Sequence, residues 1–185
     1  VSSDFVVATA KENYQAATGK SVDDIDPNSK HGKLIAAQLD AIKQVMDAAQ
    51  SAINKQGVGF KGFLPAIFAR QVANKFNSKM SGKMKIKLTA PKKYVRNRAN
   101  RPDKWEHNII ETMFKKPDYQ KGKPFFESTK VKGKDTFRFI LPEYYGPSCL
   151  KCHGEPKGER DITGGKKEGG VMDELGGAIS LIIYQ

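Results

Sequence analysis

"MKIKLT", residues 84 to 89, is where the sequence changes its period. Apolar Met84, Ile86 and Leu88 alternate with Lys85 and Lys87, the two-residue repeat of a half-buried strand. Everything upstream repeats differently. From 33 to 54, Ile35, Leu39, Ile42, Met46, Ala49 and Ile53 recur in steps of four and three, the spacing of one helical face. A second helix is expected over 64 to 80. Pro65 falls in its first turn, where a missing N–H does no harm, and Ala69, Val72, Ala73, Phe76 and Met80 line one side. A further helix over 4 to 17 is broken by the Gly, Ser, Asp and Pro of "TGKSVDDIDPNSKHG".

Downstream of 89 strand signals dominate. A Pro-bounded loop, "APKKYVRNRANRPD", leads to a short helix carrying Trp105, Ile109, Met113 and Phe114, with Asp103 placed to cap it. "KPFFESTK" and "DTFRFILP", joined by the Gly-containing "VKGK", read as a hairpin, and "GGAISLIIYQ" closes the chain as a last strand. Helices first and antiparallel strands later predict an α+β domain with its N-terminal helices packed on one face of the sheet. No internal repeat is present. Residues 1–32 are expected to form a peripheral segment and residues 33–185 the domain proper.

The 185 residues, 38% of them hydrophobic, suffice for one ordinary core. No run of 18 apolar residues occurs, so no helical membrane span is expected. The start at Val1, without a charged-then-apolar leader, suits a mature or excised segment. The formal charge of +12 is spread over several lysine-rich stretches and reads as a solvated face. With no zinc-finger spacing, aromatic-basic motif or heptad-bearing basic helix, nucleic acid is not an expected partner.

Both cysteines and one of three histidines lie in "GPSCLKCHGEPKG", residues 146 to 158, as Cys149, Cys152 and His153. Chance placement of such residues would give a C-x-x-C-H string in on the order of one chain in several thousand. On one helical turn, residues three apart point the same way. Both thiols then reach the two vinyl groups on one porphyrin edge, and His153 falls over the iron as an axial ligand. The expected cofactor is covalent haem c. Two other uses of the same residues remain. A structural zinc needs a fourth ligand, for which only His31 and His107 are further histidines. A disulfide or redox dithiol would normally sit between a strand and a long helix early in an α/β domain, not in a late Pro- and Gly-bounded loop. Because thioethers are made on the exported side of a bacterial membrane, a periplasmic or extracytoplasmic location is expected.

The motif lies too late for a class I cytochrome c, and the strands do not suit a four-helix cytochrome. "VRNRANRPDKWE" (95 to 106), then "YYGPSCLKCHGEPKG" and the terminal "LGGAISLIIY", instead resemble the single-haem, c-type, PAS-like sensor family over roughly residues 33 to 185. The resemblance implies a PAS-like sensor of redox state or of a diatomic gas, NO or CO, standing alone or fused to a membrane signalling module. It also admits a second copy of the chain as partner. Some relatives carry a distal cysteine ligand before an Ala-Pro pair; here the stretch is "GFKGFLPAI", with Phe60 near that place. The distal position is then open behind Phe60, Leu64 and Ile67, or filled by His31, His107, Met46, Met80, Met84, Met113 or Met172. Arg96, Arg98 and Arg101 are candidate partners of the haem propionates, and Trp105, Tyr144 and Tyr145 candidate pocket residues. No acid/base pair can be assigned beside the haem, so no enzymatic activity is expected. A small electron-transfer cytochrome is the alternative.

Overall fold

The computed structural model describes all residues, 1–185, and contains five helices and four strands. Contacts divide the chain into two compact units, Val1–Lys85 and Ile86–Gln185. The change of period in "MKIKLT" coincides with that division. The expected boundary at 32/33 falls inside the first turn of a helix.

The first unit consists of three helices: α1 (Ser3–Thr18), α2 (Lys30–Ile53) and α3 (Pro65–Lys79). Each start has a local cause. The Ser2 hydroxyl accepts from the Phe5 amide, the Ser29 hydroxyl accepts from the Gly32 amide, and Pro65 occupies the first turn of α3. Along α2 and α3 the expected stripes are the buried ones, through Ile42 and Met46 on α2 and Val72, Ala73 and Phe76 on α3. The α2 helix packs against both α1 and α3. Gly32 permits the tight entry into α2, because a Cβ there would lie 2.2 Å from the Asp26 carbonyl oxygen. No helix is long and apolar enough to cross a membrane.

The second unit is built on a four-stranded sheet in the order β1-β4-β3-β2, with β1 at Met84–Thr89, β2 at Phe125–Val131, β3 at Lys134–Tyr144 and β4 at Leu175–Tyr184. Pairings β2/β3 and β3/β4 are antiparallel. The α+β class read from the sequence therefore holds. The β2–β3 hairpin closes through Lys132 and Gly133, both at positive φ (51° and 80°), as a two-residue turn matched to the strand twist requires.

The short helix α4 (Lys104–Ile109) begins at a complete capping box. The Asp103 carboxylate accepts from the Glu106 amide, and the Glu106 carboxylate accepts from the Asp103 amide. It continues as a π-turn over Ile110–Phe114, which simple 3.6-residue spacing does not predict. The extra residue turns Ile109, Ile110 and Phe114 all inward, onto Ile140, Leu175 and Ala178. Met113 packs beside them.

Along β3 the buried residues alternate as Thr136, Arg138, Ile140 and Pro142. Arg138 thus takes a core position. Its Nη2 lies 2.8 Å from Asp103 and 3.4 Å from Glu106, its guanidinium stacks 4.2 Å over the Trp105 ring, and Lys87 pairs with Glu106 at 2.8 Å. Burial of charge is tolerated here because each charge meets an opposite one.

Candidate haem-binding site

The C-x-x-C-H residues form helix α5 (Pro147–His153), entered through Pro147 and ended at Gly154. Gly154 carries no side chain because a Cβ there would lie 2.6 Å from the Leu150 carbonyl oxygen. Cys149 and Cys152 are free thiols, three residues apart on one turn and partly exposed. That is the arrangement expected for two attachments to one planar edge. No group of three or more His, Cys, Asp or Glu side chains is placed to hold a metal ion, so the zinc alternative lacks its ligand set.

Behind α5, residues 154 to 174 fold back on the helix end. The amides of Gly169 and Gly170 donate to the carbonyls of Gly154 and His153, and a narrow turn is tied by Lys167 N to Glu159 O and by Asp161 N to Gly165 O. This return brings Glu168 to His153, Oε2 lying 2.9 Å from Nδ1. Arg96, from the loop after β1, pairs with the same carboxylate through Nε and, at 3.0 Å, through Nη2. Its Nη1 meets Asp161 at 2.5 Å, and Nη2 also donates to the carbonyls of Cys152 and Lys166. Burial opposes the Arg96 charge, but Glu168 and Asp161 outweigh it and raise its pKa. Burial alone would likewise raise the fully enclosed Asp161 carboxyl; hydrogen bonds from Thr163 and Arg96 reverse this and hold it well below the usual range.

The other face of His153 is covered by Tyr145, whose ring is stacked on the imidazole at 5.4 Å between centroids and 18° between planes. Tyr94 packs edge-on against Tyr145 at 5.3 Å, and Cys149, Leu150 and Val95 complete this small cluster. Burial pushes the Tyr145 hydroxyl pKa up, so it stays a neutral aromatic wall. Gly170 and Gly176 make room for it: a Cβ at either would come within 2.4 Å or 2.3 Å of the ring.

The structure thus brings Arg96, Tyr145, Cys149, Cys152 and His153 together. Arg96 is engaged by carboxylates and carbonyls of this site, which is a different surrounding from the propionates the sequence suggested for it. Beside it opens a cleft of about 510 Å³ lined by Lys92, Val95, Arg96, Arg98, Arg101 and Pro102. Trp105 and Tyr144 belong to the core around Ile110. Phe60, Leu64 and Ile67 lie in the first unit, at and before the start of α3, with Phe60 exposed and the isoleucine half-buried or less. Of the candidate distal ligands, Met46 is buried in α2, His31 meets the Tyr14 hydroxyl at 3.2 Å and Met172 is exposed.

Sequence reasoning did not find Glu168. It stands 15 residues after His153 in a Gly-rich loop with no periodicity; the available signal was a single carboxylate in the glycine-flanked run "GGKKEGG", residues 164 to 170.

A comparison with protein families decides the class. The Tll0287-like family profile matches residues 25–183. The chain belongs to the Tll0287-like family. This is a family of cytochrome c-type sensor domains, and membership implies a haem-binding domain. No curated protein and no solved structure matches the chain. In this Tll0287-like chain the free Cys149 and Cys152, with His153 oriented by a carboxylate, fit a covalently held haem. The match begins at residue 25 and so includes α2 and α3 as well as the sheet.

Proposed function

We propose that the chain is an extracytoplasmic, PAS-like haem-c sensor domain, without catalysis of its own. In this reading it responds to redox state or to NO or CO and signals to a partner or fused output module. One observation carries the proposal. The only two cysteines sit on one face of a single turn, followed directly by a histidine whose Nδ1 faces a carboxylate.

The residue roles follow from that arrangement. Cys149 and Cys152 would hold the haem through thioethers. An ionised carboxylate can only accept, so Glu168 selects the His153 tautomer with the proton on Nδ1 and leaves the Nε2 lone pair as the iron ligand. A bound haem iron supplies reversible one-electron change and an affinity for diatomic gases. Tyr145 and Arg96 fix the ring and the backbone beside it. Arg98 and Arg101, which carry no carboxylate partner, are proposed as propionate partners. The His153 carbonyl accepts from Gly170, and the loop from 154 to 174 runs straight into β4. A displacement of His153 therefore has a short covalent and hydrogen-bonded path to the last strand.

The test is expression with a c-type maturation apparatus, followed by mass and absorption measurements. One added haem that survives denaturation and a ferrous spectrum changed by CO are expected. The bare polypeptide mass would overturn haem c. An attached haem with a sharp six-coordinate spectrum unmoved by CO would replace gas sensing by electron transfer.

A further inference from the structure

Most cations of the chain lie at its surface, but Arg96 reaches the functional helix and is fully engaged there. Arg96 ties four groups together: Asp161, Glu168 and the carbonyls of Cys152 and Lys166. Its side chain is only 29% exposed, and those of Asp161 and Glu168 are 0% and 14% exposed. The partners are distant in sequence and meet only here. Glu168 divides one oxygen, Oε2, between Arg96 at 3.0 Å and His153 Nδ1 at 2.9 Å.

We propose that Glu168 is a positioning residue for the iron ligand, and that Arg96 sets how much negative charge Glu168 delivers to His153. This deepens the haem-c reading and rests on it. A carboxylate on Nδ1–H does more than choose the tautomer. It pulls the Nδ1 proton, raises electron density at Nε2 and makes the imidazole a stronger donor to a metal. Stronger donation stabilises the oxidised iron and lowers the reduction potential. Two hydrogen bonds from a guanidinium to the same carboxylate oppose that effect by holding part of its charge. Asp161, enclosed and paired to Nη1, in turn fixes the plane of the guanidinium. The result is a hydrogen-bonded chain, Asp161–Arg96–Glu168–His153, whose end sits on the iron ligand. His153 is also clamped between Tyr145 and this chain, so neither its tilt nor its rotation is free.

The experiment uses the haem-loaded protein, with attachment verified by mass in every sample. A wild type without attached haem would defeat the haem-c reading itself, separately from this inference. Midpoint potentials are then compared for wild type, Glu168→Gln and Glu174→Gln. Glu174 pairs with Lys93 and does not touch His153, so it reports the general effect of removing one carboxylate charge. Glu168→Gln is expected to raise the potential by clearly more than Glu174→Gln does. Equal shifts, or no shift, would overturn the proposal. Should Glu168→Gln not accumulate, the wild type decides. With ¹⁵N-labelled histidine, NMR of the reduced protein is expected to show a His153 Nδ1 proton protected from exchange. An unprotonated or freely exchanging Nδ1 would overturn it.

Discussion

At the scale of single residues, Tyr145 shows how much depends on the space left for it. Its ring touches His153 on one side and the backbone of Gly170 and Gly176 on others. Neither glycine is there for backbone freedom, since neither has positive φ; each is there because a methyl group would overlap the ring. Gly176→Ala is expected to destabilise the second unit by about 1–3 kcal/mol, the usual range for overpacking, and to displace Tyr145 from the imidazole. Thermal unfolding checks the first effect, and the perturbed absorption of the haem-loaded protein checks the second. An unchanged Tm would mean that the ring relaxes without cost. Asp161 gives the residue-scale dependence on pH. Its folded pKa is depressed, so unfolding takes up a proton and ionised Asp161 stabilises the fold. That contribution is complete above the unfolded carboxylate value of about 3.9 and falls away as the pH drops below it. Urea unfolding at pH 6 and pH 3 should show a smaller acid loss for Asp161→Asn than for wild type.

Elements were legible in the sequence wherever their causes are local. The α3 start follows from Pro65, the α4 start from Asp103 and its partner Glu106, and the hairpin from the glycine after Lys132. All are set by atoms within four residues. What stayed hidden depends on partners far along the chain. Arg138 occupies an inward position of β3 because Asp103 and Glu106 of the α4 cap wait there, some 32 to 35 residues away. The alternation of "DTFRFILP" alone cannot distinguish that from a strand edge bent outward. The π-turn after α4 is equally silent, because it follows from how Ile110 and Phe114 pack on Ile140. The buried cluster makes a sharp prediction at this scale. Glu106→Ala removes the carboxylate that faces both Arg138 and Lys87, together with half of the capping box, and should cost about 3–5 kcal/mol in denaturant unfolding. Exchanging the 1%-exposed glutamate for alanine at a cost near 1 kcal/mol would show that the charges rearrange to water.

For the whole molecule, the division at Lys85/Ile86 leaves the proposed haem attachment within one unit. Every residue that attaches or orients the haem in this reading, from Arg96 to Glu168, lies in the second unit. The second unit has its own apolar core around Ile110 and Ile140, and its sheet includes β1 from Met84 onward. A chain of residues 84–185 is therefore expected to fold and to receive haem at Cys149 and Cys152 in a competent host. Covalent attachment, read by mass, should persist, because thioether formation needs only the thiols of α5 and their local frame. Loss of attachment with the sheet still folded would show that the local frame of α5 is not sufficient.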